Sequence, residues 1–156
     1  MTAVTLEAIE AKQTELAAMI QQLQKQAVQT RVIEIESCDI ELSPGEHYAG
    51  AVLDEDGQHQ HHLVLMAQRP ATKLNWQAAM DWAKSVGGYL PFRQEQALLY
   101  ANCKAHLQTE WHWSCETHKE DASYAWCCYF LYGYQYGSLK SYEGCAVAVR
   151  RSTPVS

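Results

Sequence analysis

The stretch that decides the fold is residues 111–151, WHWSCETHKEDASYAWCCYFLYGYQYGSLKSYEGCAVAVRR. Between Trp111 and Tyr142 it contains three tryptophans, six tyrosines and one phenylalanine. From Ala122 to Leu139 it carries no charged side chain. Because tyrosine and tryptophan offer large, stiff contact areas with a polar tip, such a stretch is typical of a core or of a binding surface.

The tyrosines of this stretch alternate along the chain. Tyr132, Tyr134 and Tyr136 are two residues apart, so that in an extended chain they share one face. Such a row forms either the polar-tipped side of a core or an exposed recognition surface. We adopt the second interpretation as a hypothesis, because the row has no charged neighbour in sequence.

The residues just before this row are predicted to form a strand with one buried face. We assign the face of Phe130 to the core, because successive side chains of a strand point in opposite directions. The inward side chains are then Trp126, Cys128 and Phe130, and the outward ones are Cys127, Tyr129 and Leu131. The tryptophans are predicted to belong to the core: Trp111, Trp113 and Trp126.

Upstream of the aromatic stretch the pattern predicts a hairpin and two helices. Apolar runs at 47–53 and 62–66 flank an Asp-Gly turn at 54–58. A helix capped by Asn75 is predicted to end at Gly87-Gly88, and a second helix at about 93–107 buries Leu99, Cys103 and Leu107. With a last strand at 146–151, whose Arg150 and Arg151 are predicted to be structural, the fold class is α+β.

The N-terminal residues show a seven-residue apolar repeat. Thr5 is a candidate N-cap, and no Gly or Pro interrupts the segment. The repeat predicts either a coiled coil or one amphipathic helix packed on its own domain, and we favour the coiled coil. The seam residues predicted to oligomerise are Leu6, Ile9, Gln13, Leu16, Ile20 and Leu23.

The change of pattern predicts three parts in the chain. Residues 1–29 are a helical oligomerisation or attachment segment. Residues 30–44 are an extended linker strand that ends in a Ser-Pro-Gly turn, and residues 45–156 are the main domain.

Composition excludes several classes of function. The 156 residues carry a net charge of −6 without a basic cluster, which argues against nucleic-acid binding. No apolar run approaches the length of a membrane span, so we expect no membrane insertion, and the N-terminus lacks the features of a signal peptide. Of three alternatives for the six cysteines, free thiols are favoured over a disulfide or a metal site.

No catalytic motif is present, and we expect neither an enzyme nor a cofactor. The sequence lacks a GxSxG elbow, an HExxH pair and a phosphate-binding glycine loop. Cys115 lies close in sequence to His112 and His118, a spacing unlike that of thiol nucleophiles and their bases. His59 and His61 share a face, but polar strand residues at a hairpin mouth are the preferred interpretation, and no metal site is predicted.

Five segments carry a resemblance to a known family: LNWQAAMDWAKSVGGYLP, FRQEQALLYAN, WHWSCETH, SYAWCCYF and SYEGCAVAVRR. They resemble phage and prophage proteins related to the C-terminal domain of collagen-like bacterial adhesins, the Lcl C-terminal family. That family is similar to the C-type-lectin-like superfamily, which includes the variable proteins of diversity-generating retroelements. The resemblance covers residues 45–151 and implies a C-type-lectin-like domain that binds rather than catalyses. A formylglycine-type oxidative enzyme is a third alternative, since that fold is related, and it would need reactive thiols.

The resemblance also implies a site, partners and a location. The chain would be a virion protein, made in the host cytoplasm, whose exposed face recognises a host-surface protein or glycan. Its N-terminal helix would form a homotrimer and attach to other virion proteins. The alternative is a purely architectural virion component, a decoration or fibre subunit, whose aromatic face packs on a neighbouring subunit. The positions carried over as the binding face are His112, Glu116, His118, Tyr129, Leu131, Tyr132, Tyr134, Tyr136, Ser138 and Leu139.

Overall fold

The computed structural model describes residues 4–27 and 38–153, which belong to two compact units. The first unit holds one helix, and the second holds two helices, a short 3-10 turn and two antiparallel three-stranded sheets. The predicted α+β class is therefore confirmed. The elements are α1 (Leu6–Ala27), β1 (His47–Leu53), β2 (His59–Leu65), α2 (Trp76–Ser85), α3 (Arg93–Cys103), the 3-10 turn (Lys104–His106), β3 (Trp111–Thr117), β4 (Tyr124–Tyr129), β5 (Tyr134–Leu139) and β6 (Val149–Ser152).

Helix α1 begins where the sequence predicts. The hydroxyl of Thr5 accepts a hydrogen bond from the backbone N–H of Ala8, at 3.3 Å, and thereby caps the helix. No side chain of α1 is buried, so the apolar seam is open along its whole length. The predicted helix extends to residue 29, and its last two residues lie outside the described part of the chain, as do residues 30–37 of the predicted linker strand. Residues 38–43 have no regular secondary structure.

The first sheet has the order β1–β2–β6. Its hairpin turns at Asp54, whose carboxylate accepts hydrogen bonds from the backbone N–H groups of Asp56 and Gln58, at 2.9 and 2.8 Å. The predicted hairpin is confirmed, although β2 begins at His59, three residues earlier than expected. Strand β6 begins at Val149 rather than at residue 146.

The second sheet has the order β3–β4–β5 and carries the aromatic stretch. A single bridge between His112 and Cys145 ties it to the segment before β6, and a second bridge joins Gly144 of that segment to Leu74, just before α2. Two apolar clusters hold the domain together. The first includes Leu63, Leu65, Leu99, Cys103, Cys128, Phe130 and Val147, and the second includes Ala79, Ala83, Leu90, Trp113, Ala125, Cys127 and Ala148.

Helix α2 shows both of the predicted end signals. The Asn75 side chain accepts a hydrogen bond from the Ala78 N–H at 2.9 Å, and Gly87 has a φ of +82° just after the helix. Gly88 leaves no room for a side chain, because a Cβ there would lie 2.9 Å from the carbonyl oxygen of Val149. Strand β6 can therefore run close behind the helix.

Helix α3 is shorter than predicted. It ends at Cys103, and a 3-10 turn continues to His106, because the last turn tightens before the chain extends at Leu107. The predicted buried edge of Leu99, Cys103 and Leu107 is confirmed.

The buried carboxylate of Glu95 connects α3 with two neighbouring strands of the first sheet, β2 and β6. Glu95 is 1% exposed and accepts hydrogen bonds from Arg151 Nε and Nη2, at 2.7 and 3.0 Å. It also accepts from His61 Nε2 and from the backbone N–H of Phe92, both at 2.8 Å. Burial opposes the ionisation of Glu95, but these hydrogen bonds outweigh it, so that the pKa of Glu95 lies below its usual value.

The neighbouring arginine has a similar role on the other side of β6. Arg150 donates to both carboxylate oxygens of Glu46, at 2.9 and 2.7 Å, and to the carbonyl oxygen of Glu41, at 2.6 Å. Both arginines thus form ion pairs that hold β6 in place, the structural role that the sequence predicts.

We predict that Glu95→Gln lowers the free energy of unfolding by about 3 kcal/mol, because it leaves Arg151 partly buried without its counter-charge. Chemical denaturation of the full chain measures this change. The matched control is Glu110→Gln, which removes an exposed pair with Lys73 and should leave the denaturation midpoint unchanged. Equal midpoints for the Glu95→Gln variant and the wild type would contradict the proposed importance of this carboxylate.

Candidate functional site

Four tyrosines form a continuous surface at the β4–β5 hairpin. We call Tyr129, Tyr132, Tyr134 and Tyr136 the tyrosine surface. Ring centroids lie 5.9 Å apart for Tyr129 and Tyr132, 5.4 Å for Tyr129 and Tyr134, and 5.6 Å for Tyr134 and Tyr136. Tyr132 is 69% exposed and Tyr134 is 53% exposed, so that the centre of the surface faces solvent.

The hairpin, rather than a single strand, brings these rings together. Tyr129 on β4 pairs directly with Tyr134 on β5, and directly paired residues lie on the same face of a sheet. Tyr132 lies in the turn between the strands. The prediction that Tyr132, Tyr134 and Tyr136 alternate along one strand was therefore wrong, because the chain reverses at residues 130–133.

The turn is held by its own backbone and by α3. The carbonyl oxygen of Tyr129 accepts from the N–H groups of Tyr132 and Gly133, at 3.2 and 2.7 Å. Gly133 has a φ of +81°, and a Cβ there would lie 2.6 Å from the ring of Tyr100. A glycine is thus required for both conformation and space.

The outer part of the tyrosine surface has unused hydrogen-bonding capacity. Within residues 38–153, the hydroxyls of Tyr129, Tyr132 and Tyr134 have no hydrogen-bond partner. A charged group does lie beside the turn, since Lys104 Nζ donates to the carbonyl oxygen of Leu131 at 3.0 Å. The sequence around the tyrosines has no charged side chain, but folding brings Lys104 next to their turn.

Tyr136 differs from the other three tyrosines. It is half-buried and packs against the second apolar cluster, and its carbonyl oxygen accepts a 3.3 Å hydrogen bond from the thiol of Cys127. Burial raises the pKa of Tyr136. The expectation that its side chain points fully outward was wrong, because this end of β5 lies over the core.

Strand β4 is covered on both faces. Phe130 and Cys128 belong to the first apolar cluster, as predicted, but Cys127 belongs to the second and is fully buried, against the prediction. Trp113 is buried, as predicted. Trp126 is only half-buried, because it lies at the edge of the strand's inner face.

Trp126 forms a second aromatic arrangement on the opposite face from the tyrosines. Its ring stacks on His118, at 4.9 Å, and lies 3.6 Å from the guanidinium carbon of Arg93. Arg93 Nε also donates to Gln135 Oε1 at 2.9 Å, and Gln135 Nε2 donates back to the Arg93 carbonyl oxygen at 2.7 Å. These contacts hold the start of α3 against the second sheet. No local pattern in the sequence indicates the Arg93–Gln135 pairing.

The structure divides the ten predicted site residues into separate groups. Because neighbouring strand residues face opposite ways, Ser138 lies on the side of Tyr136, and Leu139 lies on the side of Trp126. Glu116 accepts a 2.6 Å hydrogen bond from the backbone N–H of Arg93 and so caps α3. The ten residues therefore do not form one face; the four tyrosines lie side by side, with Leu131 in their turn and Ser138 beyond Tyr136.

His112 was predicted to be exposed, and this was wrong. It is 1% exposed, packs edge-on against Phe130 at 4.8 Å, and its Nδ1 hydrogen-bonds to the carbonyl oxygen of Glu110 at 2.9 Å. Burial lowers the pKa of His112 from 6.5 to about 4. His112 is a neutral core residue.

Sequence reasoning also missed a group of aromatics around the second arginine of β6. Tyr89 and Phe92 are exposed, and the guanidinium carbon of Arg151 lies 4.8 and 4.6 Å from their rings. The motif Tyr-Leu-Pro-Phe at residues 89–92 places two aromatic residues in a short segment with a rigid Pro. By itself this motif indicates an extended segment and not a contact with Arg151.

Burial disfavours the nucleophilic thiolate form at five cysteines, Cys103, Cys115, Cys127, Cys128 and Cys145. All six cysteines are free, and burial raises the pKa of Cys115 and of Cys127 to about 12 and that of Cys128 to about 11. A nucleophilic thiol needs the opposite shift. Within residues 4–27 and 38–153, no group of three or more His, Cys, Asp or Glu side chains is arranged to hold a metal ion.

Neither a protein-family model nor a curated protein sequence matches this chain. In the described part of the chain, no helix has the length and hydrophobicity needed to cross a membrane.

We predict that acid destabilises the domain through His112. Its pKa is lower in the folded chain than in the unfolded chain, so its full contribution is present above pH 6.5 and is lost as the pH falls toward 4. The loss amounts to about 3 kcal/mol over this window. His62, whose pKa burial also lowers, acts in the same direction.

Urea denaturation at a series of pH values measures this dependence. The His112→Phe variant keeps an aromatic ring beside Phe130 but cannot titrate. Between pH 6.5 and 4.5 the slope of its free energy of unfolding against pH should therefore be smaller than that of the wild type, by the equivalent of about one bound proton. A wild type and a variant with parallel pH profiles would contradict the assignment. Glu95 does not contribute to this difference, because its pKa is lowered and its protonation therefore takes place below this pH range.

Proposed function

We propose that this chain is a non-enzymatic binding protein of a phage or prophage virion. Residues 38–153 would form a C-type-lectin-like head that presents the tyrosine surface to a host-surface protein or glycan. Helix α1 would join copies of the chain into a coiled-coil oligomer, with a trimer favoured, and attach them to other virion proteins.

The observation that carries this proposal is the tyrosine surface itself. Four neighbouring rings with three unpaired hydroxyls combine apolar contact area with free donors and acceptors. Tyrosine is the residue that binding surfaces use most for this purpose, since it loses little conformational freedom on binding. A hairpin pinned by Gly133 and Tyr100 holds the rings in place before a ligand arrives.

The order of elements supports a C-type-lectin-like head. A hairpin, two helices and an aromatic three-stranded sheet are followed by a last strand that returns to the hairpin. The resemblance implies a strand, a hairpin, two helices and an aromatic-rich β region, and the observed order is the same from the hairpin onward. The five segments that carry the resemblance lie in α2, α3, β3, β4 and the approach to β6.

Among possible ligands, the surface favours a protein over a glycan. Leu131 and Tyr132 extend the apolar area at the turn, and the adjacent positions Cys127 and Cys128 are buried and so offer no polar groups to a sugar. Lys104 at the edge supplies one positive charge, which suits an acidic rim on the partner.

The purely architectural function is the second candidate, and α1 is the observation that favours it. The five large apolar side chains of the predicted seam are exposed along this 22-residue helix, namely Leu6, Ile9, Leu16, Ile20 and Leu23. A lone helix with such a seam is marginal in water, so a partner helix would stabilise it. In this function the tyrosine surface would also pack on a neighbouring subunit.

We predict that Tyr132→Ala and Tyr134→Ala weaken binding without affecting stability. Their rings are mostly exposed, so the free energy of unfolding should change by no more than about 0.5 kcal/mol. Adsorption of labelled protein to cells of the host bacterium should weaken about tenfold or more. The two measurements are the melting temperature and the adsorption isotherm.

Tyr136→Ala is the internal control, since its ring packs on the core and its loss should lower the melting temperature clearly. If Tyr132→Ala and Tyr134→Ala melt far below the wild type, the surface is part of the core. If they melt and adsorb normally, the receptor function is wrong. Burial of Tyr132 and Tyr134 between subunits of an assembled particle would favour the architectural function.

We predict that replacing Ile20 and Leu23 with Ser dissociates the oligomer and leaves the head folded. Serine removes two apolar side chains from adjacent layers of the seam, where a coiled coil buries them. Light scattering measures the mass, and near-UV circular dichroism of the tryptophans reports the head. The control is Lys12→Ser with Lys25→Ser, off the seam. An unchanged mass in the Ile20/Leu23 variant would place the interface in the head.

A further inference from the structure

An apolar groove lies on the side of the head formed by α2, residues 87–92, β3 and β6. Its volume is about 660 Å³, within the range of small-molecule sites. The floor is made by Leu90, Met80 and the thiol of Cys115, and the walls include the exposed rings of Tyr89 and Phe92. The Cys115 thiol, with its pKa of about 12, is neutral at pH 7, so the floor is apolar.

Arg151 projects a fixed guanidinium into this groove. Nε and Nη2 are bound to the buried Glu95 carboxylate, and the Tyr89 and Phe92 rings lie against the guanidinium. Within residues 38–153, Nη1 has no hydrogen-bond partner. One edge of Arg151 is therefore held rigid, and the N–H groups of Nη1 remain available to an acceptor.

The groove has two further charged side chains, the cation Lys84 and the anion Asp81. Lys84, on the last turn of α2, has no ion-pair partner among the described residues, whereas Asp81 accepts a 3.1 Å hydrogen bond from Gln77. The negative charge of Glu95 is already matched by Arg151. The groove thus offers free donors at Arg151 and Lys84 above an apolar floor.

From this arrangement we propose that the groove binds a small organic carboxylate with an apolar or aromatic body. The carboxylate would accept hydrogen bonds from Arg151 Nη1, with Lys84 as a second cation, and the body would lie on Leu90 and Met80 between the two exposed rings. A carboxylate matches the planar donors of a guanidinium better than other anions of its size. The site is independent of the tyrosine surface, since none of its lining residues belongs to that surface.

The test uses 3-phenylpropionate as the probe and its uncharged amide, 3-phenylpropionamide, as the matched control. Titration of the full-length, isotope-labelled protein is followed by the chemical shifts of its backbone amides. We expect saturable binding of the acid with a dissociation constant at or below about 5 mM, and shifts concentrated at residues 80–92, 115 and 151. The amide should bind at least about tenfold more weakly, because it lacks the charge that Arg151 recognises.

Two substitutions on the exposed face of α2 should change the affinity in opposite directions. Lys84→Gln removes a cation and should weaken binding about two- to fivefold, and Asp81→Asn removes an anion and should strengthen it by a similar factor. Both residues are exposed, so the fold is expected to be unaffected. Arg151→Lys keeps a positive charge beside Glu95 but loses the free guanidinium edge, and should clearly reduce the preference for the acid over the amide, leaving the part that Lys84 supplies.

Several outcomes would overturn the proposal. These are the absence of saturable binding up to about 20 mM, equal affinities for the acid and the amide, and shifts that map to residues 129–136. Weaker binding of 3-phenylpropionate to the Asp81→Asn variant than to the wild type would also overturn the proposal. A further outcome is that the groove resonances broaden as the protein concentration rises and that the Phe92→Asp substitution removes this broadening. The groove would then bind a second copy of the chain instead.

Discussion

The buried carboxylate of Glu95 connects three parts of the head that are far apart in the chain. It receives hydrogen bonds from β2 through His61, from the start of α3 through Phe92, and from β6 through Arg151. A buried charge is costly unless its oxygens are all engaged, so these elements are held in one arrangement relative to one another. The arrangement fixes the position of α3, against which both sheets pack.

The position of α3 in turn determines which side chains of β4 are free. Cys128 and Phe130 pack toward α3, while Cys127 packs into the cluster beneath α2. A strand covered on both faces cannot present a row of side chains along its length. The tyrosine surface therefore lies at the β4–β5 turn, which packs against Tyr100 of α3, and of its four rings only Tyr136 packs against the second apolar cluster.

The two candidate sites differ in how they are built. The tyrosine surface is exposed at its centre, and its rings contact one another, which suits a broad contact with another macromolecule. The groove is concave and apolar, with one rigid cation at its wall, which suits a small ligand. Glu95 connects them, because the same carboxylate that positions α3 also fixes Arg151.

The sequence by itself determined the elements, because their signals are local. Asn75 and Gly87 mark the ends of α2, an Asp-Gly pair marks the first hairpin, and the repeats of Leu and Ile mark α1. The tertiary structure alone decided which faces are covered. Alternation shows which residues share a face of β4 but not that both faces are buried, and it gave no sign that His112 lies in the core. Glu95 and Arg151 are 56 residues apart, so that only folding shows their pairing. The reversal at Gly133, which places Tyr132 in a turn, depends likewise on a ring from α3 that no local pattern contains.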